Sequence, residues 1–254
     1  MYRKAYFYGE ANFVVDTLQN FVSEDYSKNE IAILYRSNAQ SRIFEEKLIA
    51  NGIPYRIYGG FRFFERAEIK DVIAYMRLAV TNSDNNSFER IVNNPPRGIG
   101  EKTKNILRSI AKEKNKSLYE SAKEAIENSL VPNKAMQSLI EFLNIIETIS
   151  SILQKDELPH QISEIIKITG IKSVYEKSKS EQSRSKLENL DELVSAAHEF
   201  VHVDLEENET IIDAFLTHTS LESGEGQGNE WDDCIQLMTL HSSKGLEFPI
   251  VYVV

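Results

Sequence analysis

Residues 236–249 read QLMTLHSSKGLEFP. Within that stretch stand Thr239, His241, Ser242, Ser243, Lys244 and Glu247: three hydroxyls, an imidazole, an ammonium and a carboxylate. Apolar runs flank them, CIQLMTL before and PIVYVV after. A polar loop between two strand-like runs sits where open α/β sheets bind ligands, at the carboxyl ends of strands. The loop is not a Walker A phosphate cradle. The pattern G-x-x-x-x-G-K-[ST] occurs nowhere in the chain, and Lys244 precedes Gly245 rather than following it. The plain alternative is a polar hairpin joining two strands.

A second candidate is PPRGIGEKTKNIL, residues 95–107. Two prolines stop the preceding helical pattern. Gly98 and Gly100 flank Ile99, and a helix is predicted from about Glu101. A glycine turn entering a helix presents free N–H groups, and the helix dipole favours an anion there. Such a turn is the hairpin half of a helix-hairpin-helix element, which grips the phosphate backbone without reading bases. From Arg97 to Lys116, seven basic residues stand against Glu101 and Glu113. Arg97, Lys102, Thr103 and Lys104 lie next to the turn. The alternatives are an ordinary helical connection and a solvated basic helix face.

The chain around these loops has 254 residues, enough for one large domain or two ordinary ones. Its 41% hydrophobic and 27% charged content suits a core-forming chain. The net charge of −10 argues against a protein coated in cations for DNA, but a local basic surface suffices for phosphate contacts. No apolar run approaches the roughly 20 residues that cross a membrane, and the first residues lack the apolar core of a signal peptide. The single Cys234 excludes an internal disulfide and any cysteine-rich zinc site. His160, His198, His202 and His218 are scattered without ligand spacing, so no metal site is expected. The composition points to a reducing, cytoplasmic setting.

Three regions position the loops. Residues 1–80 alternate strand and helix signals. KAYFYG is short and aromatic, as strands are. EANFVVDTLQNFV is spaced as a helix. EIAILYR is a continuous apolar run, as a buried parallel strand would be. AQSRIFEEKLIANG is an amphipathic helix with Gly52 at its end. IPYRIYGG is another short strand, and RAEIKDVIAYMRLAV is a helix carrying Ile69, Val72, Ile73, Met76 and Leu78 to a core. Residues 81–222 contain successive helical patterns and no convincing strand. SLYE, Ser117–Glu120, has capping-box spacing, and Met136, Leu139, Ile140, Leu143, Ile146, Ile149 and Leu153 form one stripe. ESGEGQGNEWDD is a flexible connector, and strands resume in 223–254. The economical reading is a helical domain inserted into an α/β domain with a mostly parallel sheet.

IAILYRSNAQSR (31–42), GGFRFFERAEIKD (59–71), RGIGEKT (97–103), GEGQ (224–227) and QLMTLHSSKGLEFP (236–249) resemble, in order and over nearly the whole chain, signatures of UvrD/Rep/PcrA-type superfamily I DNA helicases. The middle motifs look closest to the UvrD branch, since RecB-like relatives share mainly the final loop. The resemblance implies a RecA-like lobe of the P-loop NTPase type (2A) with an inserted all-α domain (2B). In the family, ATP with Mg sits in a cleft against a first lobe that carries Walker A and the Walker B acids. The resemblance therefore implies a fragment, cut at both ends, with an incomplete sheet, no tightly bound nucleotide and no ATP turnover of its own.

It also implies roles residue by residue. Tyr35 looks like the aromatic that packs on adenine. Arg36 looks like the catalytic finger that reaches the γ-phosphate, where an arginine stabilises charge on the transferred group. Gln40 and Arg42 would position that loop. Gly245 and Glu247 would join the ATP site, with Glu247 accepting from a ribose hydroxyl. Thr239 and His241 look like contacts to single-stranded DNA. Arg97, Gly98, Ile99, Gly100, Lys102 and Thr103 look like the duplex-binding site. Many relatives have Ala where Ser243 stands. The implied activity is three-prime to five-prime DNA unwinding in repair or replication, with DNA-repair proteins as partners. The rival expectation is a non-catalytic DNA-binding or protein-docking module that kept the fold.

Overall fold

The computed structural model describes the backbone of residues 2–23, 26–201, 205, 209–224 and 232–254, and their side chains except those of 2–8, 23 and 223–224. The GEGQ segment beyond Gly224, Trp231 and His202 fall outside the described residues. The chain forms two compact units, residues 1–66 with 219–254, and residues 67–218. The sequence pattern places the first boundary near residue 80. In the structure the helix Ala67–Val80 packs on helices of the second unit, so the division falls after Arg66.

The first unit is built on a four-stranded sheet: β1 (Ile31–Tyr35), β2 (Tyr55–Ile57), β3 (Ile235–Thr239) and β4 (Ile250–Val253), in the order β2-β3-β1-β4. Every pairing is parallel. Parallel strands are buried and read as apolar runs, and Ile31, Ala32 and Ile33 of the central strand are fully buried. One face carries α1 (Tyr2–Ser23) and α2 (Ser41–Ala50). Val14, Val15 and Leu18 of α1 and Phe44 and Leu48 of α2 pack there with Ile31, Ile33, Tyr35, Tyr55, Ile57, Ile235 and Leu237. This is the expected RecA-like α/β architecture.

One expectation is corrected and one alternative is excluded. KAYFYG is not a strand but the first part of α1. Aromatic content is a weak strand signal, and nothing between it and EANFVV caps or breaks a helix. The polar loop is not a hairpin, because β3 and β4 run parallel on opposite sides of β1. The stretch 240–249 is therefore a crossover that leaves the carboxyl end of β3 and returns to start β4.

The second unit contains α3 (Ala67–Val80), α4 (Asn85–Ile91), α5 (Glu101–Lys114), α6 (Leu118–Glu127), α7 (Asn133–Leu153), α8 (Leu158–Thr169), α9 (Ile171–Glu176) and α10 (Glu181–Phe200). The helix α11 (Ile211–Gly224) begins within it. No strand occurs among its described residues. Local chemistry sets the helix starts. Asp84 accepts from the Ser87 N–H, Ser117 and Glu120 form the expected capping box, and Ser180 accepts from Ser183. The α7 stripe is core: Leu139, Phe142, Leu143, Ile146 and Ile149 are buried. Polar contacts join α3 to α4, to the loop after it and to α10. Arg90 Nε donates to Asp71 at 2.7 Å, Asn94 to Asp71 at 2.6 Å, and Asn189 to Glu68 at 2.6 Å. No described helix is long and apolar enough to cross a membrane.

Candidate nucleotide and nucleic-acid sites

At the carboxyl end of the sheet, Tyr35 of β1 lies opposite Thr239 of β3. The loops that follow are joined at once, because the Leu240 N–H donates to the Tyr35 carbonyl at 2.9 Å. After β1 the chain turns through Arg36 and Ser37, whose N–H groups both donate to Gln40 Oε1, at 3.1 and 2.9 Å. Gln40 thus fixes the turn that presents Arg36. Arg36 is exposed, and its guanidinium makes no hydrogen bond or ion pair with any described residue. Arg42 is buried and pairs with Glu46 at 2.5 Å.

After β3 the chain folds into successive turns. Thr239 Oγ1 accepts from the Ser242 N–H at 3.2 Å and lies 2.9 Å from Ser242 Oγ. Ser243 N–H donates to the Thr239 carbonyl and Leu246 N–H to that of Ser243. Gly245 has φ of +86°, a conformation side-chain-bearing residues avoid, and a Cβ there would meet open space. The hydroxyl of Thr239 is committed to the turn. His241, Lys244 and Glu247 are exposed and uncommitted. The surface therefore gathers a guanidinium, an ammonium, an imidazole and a carboxylate around a glycine turn. Chemically, a free guanidinium can meet anionic oxygens and a free carboxylate can accept from hydroxyls. Among the described residues no acidic cluster could hold a metal ion.

Tyr35, expected to pack on adenine, has its ring in the core and is only 1% exposed. Beneath it lies a buried polar cluster that the sequence reading did not single out. Glu45 accepts from Ser41 Oγ at 2.6 Å, from the Phe63 N–H at 3.0 Å and from Tyr55 Oη at 3.4 Å. Arg66 lies 3.8 Å from Glu45 and donates to Ser41 Oγ at 2.6 Å. Burial pushes the Glu45 carboxyl up, against the pull of Arg66, Ser41 and the Phe63 amide. Burial, then the Glu45 charge, pushes the Tyr35 hydroxyl up as well. The cluster ties β1, α2, β2 and the Phe63–Glu65 turn together under the Arg36 loop. In sequence these residues are ordinary helix and loop polars at separations up to 25 positions, and no local pattern marks them.

In the second unit, the loop between α4 and α5 is braced from within. Asn93 Oδ1 accepts from the N–H groups of Arg97, at 2.9 Å, and Ile99, at 3.1 Å. Ile99 is fully buried. The Arg97 guanidinium donates to the carbonyls of Ile91, Pro95 and Thr169 at 3.0–3.3 Å and lies over the rings of Tyr75 and Phe142. Arg97 and Ile99 therefore hold the loop, with their polar groups and apolar surface turned to the protein. Gly98, at φ of +82°, and Gly100 are exposed, and Gly100 precedes α5. Thr103 is buried, and Lys102 is exposed.

The basic segment is largely neutralised. Lys104 pairs with Glu101, and Arg108 with Glu89 at 2.5 Å and Glu101 at 3.2 Å. Lys114 and Lys116 pair with Glu124. Hydrogen bonds from Lys104 and Arg108 hold the Glu101 carboxyl below its usual range. Of the seven cations counted in sequence, Lys102 and Lys112 are exposed without such a partner. Glu89 and Glu124 lie outside the counted segment, and Asn93 before it, so the count could not register them.

The profile of the UvrD-like helicase C-terminal domain matches residues 1–254. DNA helicase II of Escherichia coli strain K12 is 42% identical over 245 residues, which cover 96% of this chain and 34% of that protein. DNA helicase II of Haemophilus influenzae is 43% identical over the same shares. The ATP-dependent DNA helicase PcrA of Leuconostoc citreum is 36% identical over 261 residues, covering 100% of this chain and 34% of that protein. The chain thus spans about a third of the length of the curated relatives it matches.

Proposed function

We infer that this chain, which belongs to the UvrD-like helicase C-terminal domain family, supplies the second RecA-like lobe (2A) and inserted helical domain (2B) of an ATP-dependent DNA helicase. The enzyme would move three-prime to five-prime on single strands in repair or replication. The observation that carries this reading is the junction of the Arg36 turn and the Thr239–Glu247 loop at the carboxyl ends of two adjacent parallel strands. Arg36, Gly245 and Glu247 would face ATP. His241 would meet the single-strand backbone, with Thr239 shaping the turn that presents it. ATP with Mg would supply the driving hydrolysis, and the metal would be held by acids of another lobe. Arg36 would stabilise charge on the transferred phosphoryl group. Gly98, Gly100 and Lys102 would touch duplex DNA, on a loop held by Arg97, Ile99 and Thr103. Without a Walker A loop, the chain by itself would not turn over ATP.

The test uses the full-length helicase. Glu247→Ala should raise the Michaelis constant for ATP or slow turnover at saturating DNA. His241→Ala should leave the ATP dependence near wild type and impair stimulation by single strands. Two wild-type curves from both variants would sink the assignment and favour a docking module that kept the fold.

A further inference from the structure

Phe61 is 68% exposed, more than any other large apolar side chain among the described residues. A single exposed apolar residue is ordinary on a protein surface. This one is distinguished by how firmly its backbone is held and by what lies beside it. Arg66 Nε donates to the Phe61 carbonyl at 3.4 Å. The next residues are anchored inside. Arg62 is 3% exposed, Phe63 is 1% exposed, and the Phe63 N–H donates to buried Glu45. Before it, Tyr58 N–H donates to the Leu237 carbonyl at 2.8 Å, which extends the β2–β3 ladder. Gly59, at φ of +71°, lies so near the loop after β3 that an added Cβ would stand 3.7 Å from Ser242 Oγ. Two residues of chain span at most about 7 Å. Phe61 therefore projects from a pinned turn close to the loop that carries His241 and Lys244.

We propose that Phe61 is a stacking platform for a nucleobase of single-stranded DNA whose backbone runs along the Thr239–Lys244 loop. The proposal rests on the nucleic-acid reading of that loop and extends it from phosphate to base. An aromatic face beside cationic groups is the general solution for sequence-tolerant single-strand binding, because every base has a π-face. The formal charges around it balance, two basic against two acidic, so the ring rather than the local net charge carries the proposal. Lys244 is exposed, and Arg56 lies 5.9 Å over the Tyr58 ring, with half-buried Glu65 and exposed Glu247 as the opposing acids. An apolar protein ligand would gain little from a lone ring flanked by two glycines and an arginine. A base gains stacking on one face without burying its polar edge.

The test measures binding of this chain to a fluorescein-labelled oligothymidylate, and to an abasic strand of equal length, by anisotropy at low salt. Phe61→Leu should weaken oligothymidylate binding about tenfold, while Phe61→Trp restores or strengthens it. The abasic strand should bind wild type and Phe61→Leu alike. Because the side chain is exposed, melting should be unchanged in both variants. Equal oligothymidylate affinity in wild type and Phe61→Leu overturns the platform and leaves the phosphate reading of the loop intact. Equal losses on the abasic strand also overturn it. If wild type binds neither strand while Lys244→Ala changes nothing, the nucleic-acid reading of the loop fails, and the platform fails with it.

Discussion

The two glycine turns look alike in sequence and differ in how their side chains are used. In the crossover after β3, the backbone makes its own turns and Thr239 braces them, so His241, Lys244 and Glu247 stay free. In the loop before α5, side chains do the bracing. Asn93 takes two backbone N–H groups, Arg97 takes three carbonyls, and Ile99 plugs the core. Charge that shapes a loop is not available to a ligand. The first loop is organised to offer side chains, and the second to offer its glycine backbone and Lys102.

The sharpest break of that comparison is at Arg36, the guanidinium with no internal duty. If the proposed function holds, Arg36→Ala in the full-length protein should lower DNA-stimulated ATP hydrolysis about a thousandfold. Its urea midpoint should shift by no more than about 0.5 kcal/mol of stability, as for other exposed positions. Steady-state ATPase assays and urea melts on the same preparation check both halves. A large loss of stability would show that Arg36 braces its loop as Arg97 does, and the contrast would collapse.

Arg97 should behave in the opposite way. Arg97→Ala leaves three carbonyls without their charged donor and removes the cover from Tyr75 and Phe142. Charge-assisted hydrogen bonds contribute about 1.5–3 kcal/mol each, and they share one side chain here, so the helical unit should lose about 3 kcal/mol. The affinity of the remaining folded protein for duplex DNA should change less than twofold. Urea denaturation followed by helical circular dichroism measures the first effect, and anisotropy on a duplex the second. Unchanged melting with lost binding would return Arg97 to the surface role that its sequence context suggests.

The legible parts were those whose signal is local. Continuous apolar runs marked β1, β3 and β4, the Ser117 capping box marked α6, and the 3.6-residue stripe marked α7. A mostly parallel sheet was implied by alternation with helices, but the order β2-β3-β1-β4 was not. Illegible were the facts that depend on distant partners. Glu45 reads as a helix-surface acid, yet Tyr55, Phe63, Ser41 and Arg66 close around it. Tyr35 reads as a strand-end aromatic, yet its ring completes the core beneath α2. Side-chain alternation assigns a residue to one face of a sheet, but what covers that face is set by tertiary packing. The same limit applies to the basic segment, where the neutralising Glu89 and Glu124 come from neighbouring helices.

The finest test separates two lysines that look equivalent in sequence. Lys102 and Lys104 both sit in the first turn of α5. Lys102 is exposed without a partner, whereas Lys104 is paired with Glu101 and lies 4.0 Å from Glu89. A cation that meets a phosphate releases a counterion, so log affinity falls with log salt by nearly one unit for each such contact. Lys102→Ala should therefore weaken duplex binding about threefold at low salt and flatten the salt slope by about one unit. Lys104→Ala should leave the slope unchanged, because its charge is already answered by carboxylates. A duplex titrated by anisotropy at several salt concentrations distinguishes the two. Equal flattening by both substitutions would mean that the ion pairs open readily on the surface, as exposed pairs of low net worth can. The basic segment would then act as a diffuse cationic face, and the loop's glycine backbone would lose its claim to set where the duplex sits.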